Sequence, residues 1–166
     1  MKKLLTVLFA AFAIGSFAFA ETYISANDLE NQTLVSDLAC EDGFVIHATP
    51  EKNVEISTQT SDCPNEANGE VYTKRIKLGG TGKIGYRTIS FDAKAGQKIT
   101  VCAKSSSKTD ARVVNLLDAE GNVVASGEAA AYPSKISVDE FTVPADGTYN
   151  IASKSSAIYI YSIVVK

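Results

Sequence analysis

From Gly43 onward the chain is a succession of short apolar runs in which Val, Ile, Thr, Tyr and Phe alternate with polar positions. The runs are Gly43–Ala48, Val54–Ser57, Val71–Leu78, Tyr86–Phe91, Lys98–Lys104, Arg112–Leu117, Lys135–Val143, Tyr149–Ser153 and Ile158–Val165, with clusters of Gly, Asn, Asp, Pro or Ser between them. Period-two alternation with β-branched and aromatic residues predicts pleated strands. Asp118-Ala-Glu-Gly-Asn122 predicts a hairpin turn, and Pro144-Ala-Asp-Gly147 a second turn between two runs. Before the strands, Ser25-Ala-Asn-Asp28 reads as one capped helical turn. Many short strands without amphipathic helices or a 20-to-50-residue repeat predict an antiparallel β-sandwich, jelly-roll-like, over about residues 30–166. An outer-membrane barrel is disfavoured, although Ile158-Tyr-Ile-Tyr161 is girdle-like, because the strands are short.

The alternation also assigns faces. In Val71–Leu78, Ile76 and Leu78 point one way, and Thr73, Arg75 and Lys77 the other. In Lys98–Lys104, Ile99, Val101 and Ala103 form the apolar side, with Cys102 and Lys104 opposite. Arg75, Lys77 and Lys104 are thus expected outside the core, either as an ordinary solvated face or as a basic patch suited to an anionic polymer. Arg87 shares parity with Ile89 and Phe91, and Arg112 with Val114 and Leu116. A guanidinium there must pair, or reach the rim of the core, or clamp a ligand carboxylate. If Ile158 and Ile160 point inward, Tyr159 and Tyr161 point outward as candidate stacking platforms.

The N-terminus changes the compartment rather than the fold. Lys2-Lys3, the apolar stretch Leu4 to Phe17 and Ala18-Phe19-Ala20 have the layout of a secretory signal, with cleavage expected after Ala20. That leaves 21–166 as a single domain, expected to be secreted, periplasmic or at the cell surface. Without Lys2 and Lys3, 14 basic residues face 19 acidic ones, a net charge of about −5. Such a surface argues against nucleic-acid binding, which needs clustered cations. No later segment has the length and apolarity of a membrane-spanning helix, so membrane insertion is not expected. Export favours disulfides, and Cys40 and Cys63 are the expected pair, with Cys102 free inside its strand.

Catalytic and cofactor chemistry finds little support. Gly79-Gly-Thr-Gly-Lys83 lacks the spacing of a phosphate loop and is followed by a strand rather than a helix. Asp118–Asn122 lacks calcium-loop spacing, and one histidine without a C-x-x-C excludes the familiar zinc patterns. His47 has no nucleophile or carboxylate beside it in sequence. No cofactor, metal or reaction is expected.

Lys74-Arg-Ile-Lys-Leu-Gly-Gly80, Arg87-Thr-Ile-Ser-Phe91, Val101 with Ala103-Lys-Ser-Ser-Ser107, Arg112 and Ser155-Ser-Ala-Ile-Tyr-Ile-Tyr161 together resemble the non-catalytic β-sandwich modules of bacterial pectate lyases and other secreted polysaccharide-degrading enzymes. The likeness runs from about Asp42 to the C-terminus. It implies a β-sandwich carbohydrate-binding-like module for plant-type or cell-surface polysaccharide. The face assignment then makes an acidic polysaccharide such as pectin the expected ligand, with Arg75, Lys77, Arg87, Lys104 and Arg112 as its expected contacts and Tyr159 or Tyr161 as stacking platforms. The alternative expectation is a structural or adhesive envelope protein working through protein contacts.

Overall fold

A computed structural model describes residues 20–132 and 135–166, without the side chains of Thr60 and Ser61. The stretch read as a secretory signal lies outside the described residues, apart from Ala20. The strands are β1 (Thr22–Ser25), β2 (Gln32–Leu34), β3 (Leu38–Ala39), β4 (Val45–His47), β5 (Val54–Pro64), β6 (Val71–Leu78), β7 (Thr88–Ala93), β8 (Lys98–Ser105), β9 (Arg112–Leu117), β10 (Val123–Ala129), β11 (Ser137–Thr142), β12 (Gly147–Ser153) and β13 (Ile158–Val165). Sheet A runs β11-β8-β13-β6-β5-β2, with β1 also on β13; sheet B runs β10-β9-β12-β7-β4-β3. Every strand pair is antiparallel. The predicted sandwich is present. It begins earlier than expected, because β1 already belongs to sheet A.

Apolar positions of matching parity face each other between the sheets. Ile76 and Leu78, Ile99 and Val101, and Ile158, Ile160 and Ile163 from sheet A meet Ile46, Ile89, Val114, Leu116 and Ile151 from sheet B. Phe44 and Phe91 add a ring pair with centroids 5.4 Å apart. Each such isoleucine or leucine contributes about 1.5–3 kcal/mol when fully buried. Among the described residues no helix is long and apolar enough to cross a membrane.

The expected turns form where their side chains can cap them. Ser25 Oγ accepts from Asn27 N–H at the start of the single turn Ala26–Asp28. Asp118 Oδ1 accepts from the amides of Glu120 (3.1 Å) and Asn122 (2.7 Å), which closes the β9–β10 hairpin. The Pro144–Gly147 turn instead carries the chain from sheet A to sheet B, since β11 pairs with β8 and β12 with β7 and β9.

Strict alternation slips at two places, and both matter outside the core. In β6 the successive amides of Thr73 and Lys74 both donate to Asn27 Oδ1, at 2.9 and 3.2 Å, and Asn27 Nδ2 donates to Val71 O at 3.0 Å. The Asn27 amide stands in for a neighbouring strand, and the kink puts Tyr72 on the opposite side from Ile76 despite equal parity. In β13 the pairing with β8 shifts between Ile160 and Ser162. Tyr161 and Ser162 therefore both leave the core side, while Ile163 returns to it.

These slips build a second apolar cluster on the outside of sheet A: Cys63, Tyr72, Cys102 and Tyr161, with Ile136 and Tyr159 packed against it. The Tyr72 and Tyr161 ring centroids lie 5.2 Å apart. Tyr72 shares a hydrogen bond of 2.7 Å with Ser162 Oγ, and Tyr161 O–H donates to Gln59 Oε1 at 2.9 Å. Burial pushes both phenols well above their ordinary range. The β5–β6 hairpin covers the cluster, held at its tip by Asn65 Nδ2 donating to Cys102 Sγ at 3.3 Å and by a Lys135–Glu66 ion pair.

The expected Cys40–Cys63 bridge is a correction: all three thiols are free. Cys40 packs against the core between the sheets, whereas Cys63 sits in the cluster outside sheet A, so the sheet itself stands between them. Cys102 shares the cluster with Cys63. Loop position alone could not show that the β5–β6 hairpin turns its cysteine away from the first strands.

Candidate functional site

Antiparallel register lines up one residue from each of four strands on the outer face of sheet A. Lys104 on β8 lies opposite Tyr159 on β13, Tyr159 opposite Lys77 on β6, and Lys77 opposite Glu55 on β5. Arg75, two residues back along β6, is opposite Ser57. Its Cζ lies 4.2 Å from the centroid of the Tyr159 ring, and its Nε donates to Ser57 Oγ at 3.4 Å. The Lys104 ammonium sits 5.6 Å from the centroid of Tyr132. Lys77 Nζ pairs with Glu55 Oε2 at 3.2 Å. A hydrogen bond from the Ser57 hydroxyl, then Lys77 and Arg75, holds the Glu55 carboxyl below its usual range, and partial burial opposes them. Arg75 and Lys77, both half-buried, thus share this face with the Glu55 carboxylate, whereas Lys104 is only 5% exposed, its ammonium held over Tyr132.

Four residues singled out in sequence, Arg75, Lys77, Lys104 and Tyr159, are therefore neighbours in register, but of the three cations only Arg75 and Lys77 keep partial exposure. Three others do not join them. Tyr161 is fully buried under the β5–β6 hairpin and offers no ring face to a ligand, contrary to expectation. Its outward parity was right, but alternation says nothing of what covers a face. Arg87 precedes β7 with φ 52°, so strand parity does not apply to it. Its guanidinium packs on the Gly79-Gly80 backbone, and its Nε donates to Asn53 O at 3.3 Å. Arg112, at the start of β9, donates through Nη1 to Ser106 Oγ at 2.7 Å and to Ala157 O. Both arginines bind the chain's own loops.

The Gly79–Lys83 segment is a strand connection, as expected. A Cβ on Gly82 would stand 2.4 Å from Arg87 O and 3.0 Å from Ala152 Cβ, so only glycine lets the loop lie against β12.

His47 has the partners that its sequence neighbourhood lacks. Nδ1 is 2.8 Å from Asp37 Oδ2, and Nε2 is 2.8 Å from Ser90 Oγ. Asp37 Oδ1 also accepts from Ala48 N–H at 3.2 Å. Ser90 is only 8% exposed. The three groups tie the segment before β3 through β4 to β7, rather than presenting a nucleophile to solvent. Sequence gave no sign of this, because the partners lie in separate segments joined only by the β4–β7 register. Among the described residues no cluster of His, Cys, Asp and Glu could hold a metal ion.

Comparison with known proteins bears on parts of this architecture. Residues 85–153 match the family model described as the bacterial pre-peptidase C-terminal domain. No curated protein matches the chain in sequence. Among solved structures, a family 36 carbohydrate-binding module in complex with calcium and xylotriose is 13% identical, covering 87% of this chain and 99% of that one, with a TM-score of 0.44. The family 22 module and catalytic module of a Clostridium thermocellum xylanase 10B, complexed with xylohexaose, are 15% identical, covering 80% of this chain and 28% of that one, with a TM-score of 0.47. A family 51 module from Clostridium perfringens, in complex with methyl-galactose, is 12% identical, covering 87% of this chain and all (100%) of that one, with a TM-score of 0.43. The chain is similar to the pre-peptidase C-terminal domain from the turn before β7 to the end of β12, and at low identity to these modules over most of its length.

Proposed function

We propose that the chain is an exported, non-catalytic polysaccharide-binding module that takes an acidic glycan on the outer face of sheet A. The observation that carries this reading is the placement of the half-buried Arg75 and Lys77 beside Tyr159 on two neighbouring strands, with Lys104 opposite Tyr159 but only 5% exposed, on a chain with net negative charge. Tyr159 works here as a platform that orients Arg75, since the guanidinium covers its ring. A guanidinium held flat in this way is prepared for paired hydrogen bonds to a uronate carboxylate. The Lys77–Glu55 pair is well exposed, with side-chain exposures of 36% and 40%. A pair of that kind contributes little by itself, so a ligand carboxylate can compete for the ammonium at small cost.

Affinity electrophoresis of the purified protein through gels containing homogalacturonan tests the proposal. Retention is expected, weakening as salt rises and falling several-fold in Arg75→Ala and Lys77→Ala. Absence of retention on any acidic or neutral polysaccharide would overturn it. Co-purification of a stoichiometric protein partner without glycan retention would instead favour an adhesive envelope role.

A further inference from the structure

On the other side of the molecule, a cleft of about 390 Å³ opens between the loop after β6 and the β9–β10 hairpin. Its floor is the outward side of sheet B at Asn115 (7% exposed) and Leu117 on β9, beside the β12 end at Ser153. Lys83, Lys154 and Glu120 line it, two cations against one carboxylate, and neither lysine forms an ion pair among the described residues. Ile84 (42% exposed) and Val123 (57% exposed), two of the few large apolar side chains left in solvent, both line it as well.

The loop wall is held in place. Gly82 N–H donates to Ser153 O at 3.0 Å, and Lys83 and Tyr86 exchange backbone hydrogen bonds of 3.1 and 2.9 Å around Gly85. The tip also rests on the hairpin, since a Cβ on Gly121 would come within 3.3 Å of Ile84 Cγ1. Burying Ile84 would remove apolar area from water, yet the tight turn keeps it at the mouth.

We propose that this cleft is a second glycan site, for a sugar ring carrying an anionic group. The apolar side chains suit the carbon faces of the ring, the two lysines its carboxylate, and the Asn115 amide and Glu120 carboxylate its hydroxyls. The volume lies in the range of small-ligand sites, at the low end. The site stands independently of the patch on sheet A. With both sites, one molecule engages a polymer on opposite faces, which raises avidity and allows cross-linking.

Titration of trigalacturonate into ¹⁵N-labelled protein tests it. Amide shifts are expected at Lys83, Ile84, Asn115, Gly121 and Val123. They should persist in Arg75→Ala. Weakening of at least tenfold is expected in the double variant Lys83→Ala/Lys154→Ala and a smaller loss in Ile84→Ser, with urea midpoints near that of the parent. Neutral maltotriose should bind at least tenfold more weakly. Shifts confined to sheet A would overturn the cleft while leaving the first site standing. Equal shifts with inorganic sulfate alone would reduce the cleft to an anion contact and overturn its glycan role. No shifts anywhere would overturn both.

Discussion

The outer faces of the two sheets are made by the same alternation and end up with opposite characters. Sheet A turns out long side chains that reach across strands, Arg75 onto the Tyr159 ring and Lys77 to Glu55. A folded-over hairpin shelters the rings beside them. Sheet B turns out short polar groups, Thr88, Ser90, Asn115 and Asn150, that are nearly buried. Some are satisfied by specific partners: Ser90 by His47, and Asn115 by Ser126 Oγ at 2.8 Å. Long amphipathic side chains create a surface that can exchange partners; short ones need each partner in place and stitch the fold.

Removing the ring that sheet A hides should break this contrast most severely. Tyr161→Ala is expected to cost about 3–5 kcal/mol in urea unfolding, as for an aromatic in a main core. Tyr161→Phe, which keeps the ring and loses the hydroxyl bonded to Gln59, should cost about 1 kcal/mol. A loss of under about 1 kcal/mol in the alanine variant would mean that the hairpin is no true cover. On sheet B, Thr88 is fully buried and its Oγ1 has no partner among the described residues. Thr88→Val keeps the shape and removes the orphan hydroxyl, so its midpoint should rise by the equivalent of about 1 kcal/mol. Arg75→Ala should move stability by only about 0.5–1 kcal/mol, the size of a partly exposed cation–ring contact. A large loss there would make the patch structural.

The smallest effect is expected where the sheets close on one another. Asp139 on β11 has a buried Oδ2 without a partner, and Gly127 on β10 leaves room for its carboxyl. Desolvation raises its pKa, with Glu128 opposing itself through charge and backbone. A folded-state pKa above the unfolded value means that this group's contribution is complete below the ordinary carboxylate range and is lost as pH rises through the raised value. The stability difference between Asp139→Asn and the parent should therefore shift in favour of the variant between pH 4 and pH 7. Melting curves at the two pH values that show the same difference would contradict the assignment.

How much of this was readable beforehand depends on whether the determinants lie within one strand. The inward set Ile76, Leu78, Ile99, Val101 and Ala103 and the outward set Arg75, Lys77 and Lys104 follow from parity in β6 and β8. The slip that turns Tyr72 outward does not, because it is imposed by Asn27 from a distant turn. Arg87 looked like a strand residue until its positive φ placed it in the preceding turn. The partners of His47 and the burial of Tyr161 depend on which segments fold over which. A period-two pattern carries no such information, and the cysteine pairing failed for that reason. The glycine-rich loop was recognised as a connection, but its close approach to Arg87 and Ala152 appears only in three dimensions.

The position of β13 has a consequence in time. One edge of β13 pairs with β8, and the other is divided between β6, at Ile158–Ile160, and β1, where Thr22 meets Val165. Sheet A cannot join its two halves until β13 is inserted between β8 and β6, with β1 from far back in the sequence on the same edge as β6. Contacts of such long sequence separation make closure slow, because the intervening chain must be ordered before they form. A chain built in this way keeps the halves β11-β8 and β6-β5-β2 unjoined until β13 docks, so the facing edges of β8 and β6 stay open to other strands until then.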